Sequence, residues 1–257
     1  MSEIHSTAVI REGARIGEGC RIGPYCVIGP NVTLGARCEL HSHVVIDGHT
    51  EVGSENAFYP FASIGLRTQD LKWGGGTTWT RVGSNNTFRE YVTIHSATAD
   101  GDATVIGSYN NLLAYTHVAH DCQLGDHIIM SNVGTLAGHV TVGDRAIVGG
   151  LAAVHQFCRI GTMSIIGGCS KVVQDVPPYM MVDGNPAATR TLNKEGLKRN
   201  GVDEDTQKSM RQAYRILFRS EQSFTNAVGQ VRSDVATSPE LEHLLSFIES
   251  SERGIAK

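Results

Sequence analysis

The sequence predicts a parallel β-solenoid followed by a C-terminal helical domain, and three observations predict it. First, an aliphatic or aromatic residue recurs every six positions from Ile4, Ile10 and Ile16 to Ile160, Ile166 and Val172, missing only at Asp70, Gly76 and Asp100. Second, the position two residues earlier is usually small, and the position after the aliphatic is often glycine, as at Gly17, Gly35, Gly53 and Gly125. Third, the repeat stops near Gln174–Pro178, and the spacing of Met210, Ala213, Tyr214, Leu217 and Phe218 is helical.

A six-residue unit cannot bury its aliphatic alone. Three units make a triangular coil of 18 residues, and stacked coils bury a continuous column. The glycines are read as turn residues with positive φ. Five of the six cysteines, Cys20, Cys26, Cys38, Cys122 and Cys158, share the small-residue phase and are predicted as packing residues. This pattern resembles the hexapeptide-repeat family, and the resemblance implies a left-handed parallel β-helix.

Two segments break the repeat. Residues 66–81 are rich in glycine, and residues 97–105 form a second predicted loop. Insertions in a solenoid map to its surface and often build binding sites. Beyond residue 178 the chain is predicted to be helical. Ser238-Pro239-Glu240 supplies an N-cap with proline at the first helical position, and Leu241, Leu244, Leu245 and Ile248 continue that helix. The predicted domains are 1–187, the solenoid, and 188–257, the helices, which cover the solenoid's open strand edges.

Composition excludes several classes. A net charge of −4 with 19% charged residues gives no footprint for nucleic acid. The chain opens without a basic segment leading into an apolar run, and no apolar stretch nears the roughly 20 residues of a membrane span. A cytoplasmic protein without a membrane span is expected. No C-x-x-C pair is present, so a zinc ribbon is not expected.

Histidines point to the chemistry. His120, Gly138 and Gln156 are 18 apart and stack in successive coils, with His117 and His139 beside them. A neutral imidazole takes a proton near pH 7, and Asp121 follows it directly. Gly138 has no side chain to keep its N–H from a developing oxyanion. These are the parts for acyl transfer to a hydroxyl with His120 as base, and they need no cofactor and no metal. A second stripe, Ala114, Asn132, Gly150 and Gly168, has only small residues and predicts a groove for an extended chain.

The segments Gln69-Asp70-Leu71-Lys72, HVAHDC (117–122), TLAGHV (135–140), AVHQFC (153–158), GGCSKVVQDVPPY (167–179) and NKEGLKR (193–199) resemble the bacterial acyl-carrier-protein:UDP-N-acetylglucosamine O-acyltransferases of lipid A synthesis. The resemblance spans essentially the whole chain. It implies a (3R)-3-hydroxyacyl donor on acyl carrier protein, UDP-N-acetylglucosamine as acceptor at its 3-position, and a homotrimer with sites between chains. It further implies that Asp70, Lys72, His117, His139 and Gln156 hold the sugar and diphosphate, and that Asn193, Glu195 and Arg199 contact the nucleotide. A position matching Gly168 limits acyl length, so a long chain of the myristoyl class is expected. Asn200 stands where relatives often carry a second arginine, and Pro186 replaces a common histidine. Arg211, Arg215 and Arg219 share a helix face suited to an acidic carrier protein.

Three rivals remain at this point. N-acyltransferases of the same fold usually carry an extra N-terminal domain, whereas here the repeat begins at Ile4. Hexapeptide proteins that hydrate carbon dioxide on zinc use His-x4-His, whereas this chain has His117-x2-His120. A non-catalytic scaffold gives no reason for the stacked His120, Gly138 and Gln156.

Overall fold

The computed structural model describes residues 2–257. Short strands wind into a left-handed parallel β-helix with three faces. The first face holds eleven strands, the second nine and the third eight. Pairing follows the predicted phase: Ile4 lies beside Ile22, Ile10 beside Ile28 and Ile16 beside Leu34. The aliphatic column is sealed, with Ile28, Ile46, Ile64 and Leu112 fully buried. Each such side chain contributes about 1.5–3 kcal/mol of hydrophobic stabilisation. Phe58 and Phe88 continue the column as buried, stacked rings 4.8 Å apart.

The glycine phase has a different cause from the one expected. Of the repeat glycines only Gly65 has positive φ. A Cβ on Gly17 would lie 2.5 Å from the backbone of Gly35, and one on Gly35 would lie 2.5 Å from that of Gly53. Glycine is therefore required by the coil above, not by the turn. The left-handed conformation falls two residues later, on residues with side chains: Tyr25 (φ 59°), Arg37 (φ 54°) and His43 (φ 59°). That conformation costs roughly 1–2 kcal/mol per residue. It is offset by an N–H donated to the coil below, as from Arg37 to Glu18 O at 2.8 Å. Stacked rings along the turn add to this, as in Phe61, Tyr91 and Tyr115 at 4.9 and 4.7 Å.

The five in-phase cysteines are buried. Burial pushes the thiols of Cys38 and Cys158 up to about 11 and that of Cys122 up to about 12, so they stay protonated. Where the cysteine phase carries asparagine instead, the amides form a ladder. Asn56 Oδ1 accepts from the Asn86 N–H at 2.9 Å, Asn86 Oδ1 from the Asn110 N–H at 2.8 Å, and Asn110 Oδ1 from the Ile128 N–H at 2.7 Å.

The insertions are shorter than expected. Trp79–Val82 pairs in register with His49–Val52, and Ala103–Ile106 pairs with Trp79–Val82. The loops proper are therefore 67–78 and 96–102. Threonines hid these strands, because Thr50, Thr80 and Thr104 take inward positions and are fully buried. Partners across the first loop are 30 residues apart and across the second 24, as in Ser63–Thr93 and Thr93–His117. Both exceed 18 by a multiple of six, which is why the phase survives each loop.

After the last coil the chain is not yet helical. Met180–Gly184 and Ala187–Leu192 form an antiparallel hairpin that extends the first face. Its alternating burial follows from pairing on that edge, a signal too short for helix or strand periodicity to separate. The 187/188 position falls inside its second strand. Four helices follow: α1 (Lys194–Arg199), α2 (Glu204–Arg219), α3 (Phe224–Asp234) and α4 (Pro239–Glu249), the last capped by Ser238. Buried Asp175 joins the domains. Its carboxylate accepts from the Arg159 backbone N–H and Nε, and from Ser251 Oγ.

The asparagine ladder gives a stability test. Asn86→Ala strands the Asn110 N–H, which donates to Asn86 Oδ1, and Gly107 O, which accepts from Asn86 Nδ2, and each lost partner costs about 1–3 kcal/mol. A lowered urea midpoint with unchanged far-ultraviolet dichroism is the expected result.

Candidate active site

The corner between the second and third faces gathers most of the predicted residues. His120 follows the strand His117–Val118, and its stacking is direct: the His139 N–H donates to His120 O at 3.0 Å, and the Phe157 N–H to Gly138 O at 3.1 Å. Asp121 and His139 occupy the left-handed turn positions, each with φ 60°. Asp tolerates that conformation better than most residues.

Asp121 is fixed before it meets His120. Its N–H donates to Thr104 Oγ1 at 2.8 Å, and its Oδ1 accepts from the Thr98 N–H at 3.3 Å. Its Oδ2 lies 2.7 Å from His120 Nδ1. An ionised carboxylate only accepts, so Nδ1 carries the proton and Nε2 keeps a free lone pair. Nε2 points into a cleft of about 550 Å³ lined by Gln69, Asp70, Lys72, His95 and Gln156. Asp70 Oδ2 stands 3.9 Å from it. Loop 67–78 holds Asp70 there: Asp70 N–H donates to Thr68 Oγ1, and Thr68 shares a 2.9 Å hydrogen bond with Thr98 of the second loop.

Gly138 is packed against the base. A Cβ at this position would lie 2.3 Å from His120 Cε1, so only glycine admits the ring. Among the described residues the Gly138 N–H donates to no protein acceptor. His139 meets the His120 ring edge-on at 5.2 Å, rests flat on Phe157 at 4.5 Å, and brings Nε2 to 3.6 Å from Asp121 Oδ2. His120, Asp121 and His139 are also the one group of potential metal donors among the described residues.

Two further histidines near the site, His117 and His95, are pushed toward the neutral form. Burial, then the neighbouring His95 and His120, pushes His117 down to about 4. Its Nδ1 shares a 2.8 Å hydrogen bond with Thr93 Oγ1. Burial, then His120, also lowers His95, which is 8% exposed. Sequence reasoning missed His95, although one signal marked it: histidine in the phase that usually holds glycine. Thr68, Thr98 and Thr104 carried no such signal.

Within one chain the remaining candidates lie elsewhere. Asn193 caps α1, accepting from the Gly196 N–H and donating to Met163 O, both at 2.8 Å. Met163 stands on the corner between the third and first faces, so Asn193 and α1, with Glu195 and Arg199, do not meet His120 in the same chain. Gly150 and Gly168 lie on the corner between the first and second faces. Neither has positive φ, and a Cβ on either has its nearest neighbour at 3.4 and 3.3 Å. Arg219 is spent on Tyr214 Oη and Arg190 O, which leaves Arg215 as the freer charge on that helix face.

Residues 175–256 match the family described as UDP-N-acetylglucosamine O-acyltransferase, domain 2, and residues 2–30 and 13–48 match the bacterial transferase hexapeptide repeats. The acyl-[acyl-carrier-protein]–UDP-N-acetylglucosamine O-acyltransferase of Thermodesulfovibrio yellowstonii is 48% identical over the full length of both chains. The solved LpxA of Acinetobacter baumannii is 46% identical with a TM-score of 0.95, covering 99% of each chain. The Arabidopsis UDP-N-acetylglucosamine acyltransferase is 38% identical with a TM-score of 0.88, covering 99% of this chain and 100% of its own.

The depressed His117 gives a pH test. Between its ordinary value of 6.5 and about 4, the unfolded chain binds a proton that the folded chain refuses. Stability therefore falls as pH drops through that window. The urea midpoint is expected to decline from pH 6.5 to 4, and His117→Gln is expected to flatten part of the decline.

Proposed function

We propose how this chain, which belongs to the UDP-N-acetylglucosamine O-acyltransferase family, carries out its reaction. It is an acyltransferase that moves an acyl group from acyl carrier protein to UDP-N-acetylglucosamine in lipid A biosynthesis. The transferred group is read as a (3R)-3-hydroxyacyl chain and the acceptor as the sugar 3-hydroxyl. His120 Nε2 removes the hydroxyl proton as the oxygen attacks the thioester carbon. Asp121 stabilises the imidazolium through its 2.7 Å bond to Nδ1. The Gly138 N–H receives the oxyanion. Collapse expels the carrier thiolate, which takes the proton back from His120. The observation that carries this reading is the His120–Asp121 bond with Gly138 packed against the ring.

Asp70, Lys72, His117, His139 and Gln156 are assigned to the sugar and diphosphate. Asn193, Glu195 and Arg199 are assigned to the nucleotide, from a neighbouring chain. The third face is polar outside, with Arg15, Glu51, Arg81 and Gln123 pointing out. The corner between the first and second faces instead exposes Tyr25, Phe61, Tyr91 and Tyr115. A homotrimer with that corner toward the axis covers these rings. It sets one chain's first face opposite its neighbour's second face. The neighbour's α1 corner then approaches His120, and three triangular prisms leave a cleft between each pair. The free thiols agree with a cytoplasmic setting.

His120→Ala is expected to lower turnover by about 10²–10⁴ with little change in substrate binding. Mixing His120→Ala chains with Arg199→Ala chains should restore part of the activity, because some mixed sites then carry both intact residues. Turnover of the single variant within a few-fold of the parent, or mixtures no better than their components, would refute these assignments.

Gly150 and Gly168 are assigned to the acyl groove. Turn geometry does not require glycine there, and a Cβ would meet a backbone oxygen at 3.4 Å on Gly150 and 3.3 Å on Gly168, tight but without the overlap found at Gly17 or Gly35. Each methylene that loses its place in the groove costs about 0.8 kcal/mol. Gly168→Met is expected to move preference to shorter acyl donors in a folded protein. An equal loss for all chain lengths would return Gly168 to a plain turn residue.

A further inference from the structure

Three donor atoms converge behind the base. His120 Nδ1, Asp121 Oδ2 and His139 Nε2 lie within 4.8 Å of one another, with Nδ1 to Oδ2 at 2.7 Å and Oδ2 to Nε2 at 3.6 Å. Two imidazoles and a carboxylate suit a borderline divalent ion rather than a hard one. Around tetrahedral zinc, bonds of about 2.0–2.1 Å put donor atoms roughly 3.3 Å apart. The Oδ2–Nε2 spacing is close to that, and the His120–Asp121 pair needs only to open by a fraction of an ångström. The His139 side chain is 39% exposed and gives an entry path.

We infer that Zn²⁺ binds His120 Nδ1, Asp121 Oδ2 and His139 Nε2, with water as fourth ligand, and that this site switches acyl transfer off. The inference rests on His120 acting as the base through Nε2. A neutral imidazole has one ring proton. Catalysis needs it on Nδ1, donated to Asp121, so that Nε2 keeps its lone pair. Zinc on Nδ1 needs the lone pair on that nitrogen, so the ring proton leaves Nδ1 and moves through solvent to Nε2. Asp70 Oδ2, 3.9 Å away, favours a proton there. The ring is then a donor facing the cleft and cannot accept the hydroxyl proton. Zinc also removes Asp121 from its role, since that oxygen becomes a ligand. The block acts on the base itself, so saturating nucleotide sugar does not relieve it. Magnesium, which prefers six oxygen ligands in octahedral geometry, does not fit this set.

The test dialyses metal-free, full-length protein against micromolar Zn²⁺, counts bound zinc, and measures turnover at saturating substrates. One zinc per chain is expected, with turnover down at least tenfold and restored by EDTA. Millimolar Mg²⁺ should have no such effect. His139→Gln and Asp121→Asn should each weaken zinc binding at least tenfold. His127→Gln should leave it unchanged, since His127 stacks on Tyr109 at another corner. Because zinc is counted directly, the weakened activity of the site variants does not enter that readout. Failure to bind zinc, binding unaffected by both site variants, or full turnover with one zinc per chain would each overturn the inference. The base assignment is judged separately, by His120→Ala in metal-free buffer.

Discussion

Each coil donates its backbone N–H groups to the carbonyls of the next, and that fixed stacking sets what every position in the repeat can hold. The Gly17 N–H reaches Leu34 O at 2.7 Å and the Gly35 N–H reaches Val52 O at 2.8 Å. At Gly17 and Gly35 a Cβ would run into the backbone above. An aliphatic in the inward phase meets its counterpart, and a small residue two places earlier leaves room at the corner. The turn residue takes a left-handed conformation so that its N–H can also reach the coil below. Nineteen described non-glycine residues accept that conformation. A cost of roughly 1–2 kcal/mol at each is tolerable only because stacking repeats the same compensation coil after coil.

The chemistry borrows this geometry. A left-handed turn residue points its side chain outward beside the residue before it, so Asp121 comes within hydrogen-bond reach of His120 without a long-range contact. The next coil then supplies Gly138 against the ring and His139 at its edge. Three residues spread over one coil repeat thus converge by backbone stacking alone. What stacking does not supply is orientation of the carboxylate. The two loops and the strand after the second do that, with Thr98 and Thr104 anchoring Asp121 and loop 67–78 bringing Asp70 toward Nε2.

This division explains what the sequence revealed. Positions tied to the repeat were legible: the aliphatic column, the buried cysteines and the stack of His120, Gly138 and Gln156 all follow from counting. The reason for the glycines was not, because a clash with the next coil and a positive φ select the same residue. The strands at 79–82 and 103–106 were hidden because buried threonines replaced aliphatics. The hairpin 180–192 obeys neither the hexad nor a helical period. Thr98 and Thr68 act through loop conformation, which has no period to read, and Thr104 lies in one of the hidden strands. Asn193 was legible as a motif residue, yet its side chain proves to be occupied in capping α1.

The surroundings of His120 sharpen the reason its neighbours are buried. A base that becomes an imidazolium must not do so beside another cation. His95 and His117 are two nearby candidates for such a cation, and burial disfavours the charged form of both. The two charged groups in direct reach of the ring nitrogens, Asp121 at 2.7 Å and Asp70 at 3.9 Å, are both carboxylates. Both carboxylates thus favour the protonated ring, and the two buried histidines do not oppose it. The two carboxylates act on opposite nitrogens, however, so they favour different tautomers of the neutral ring. Asp121 holds the catalytic one because its bond is shorter by more than 1 Å and because the Thr98 and Thr104 contacts leave it little freedom to move. The direction of proton transfer therefore depends on threonine anchors in a loop and an adjacent strand, two steps removed from the base they serve.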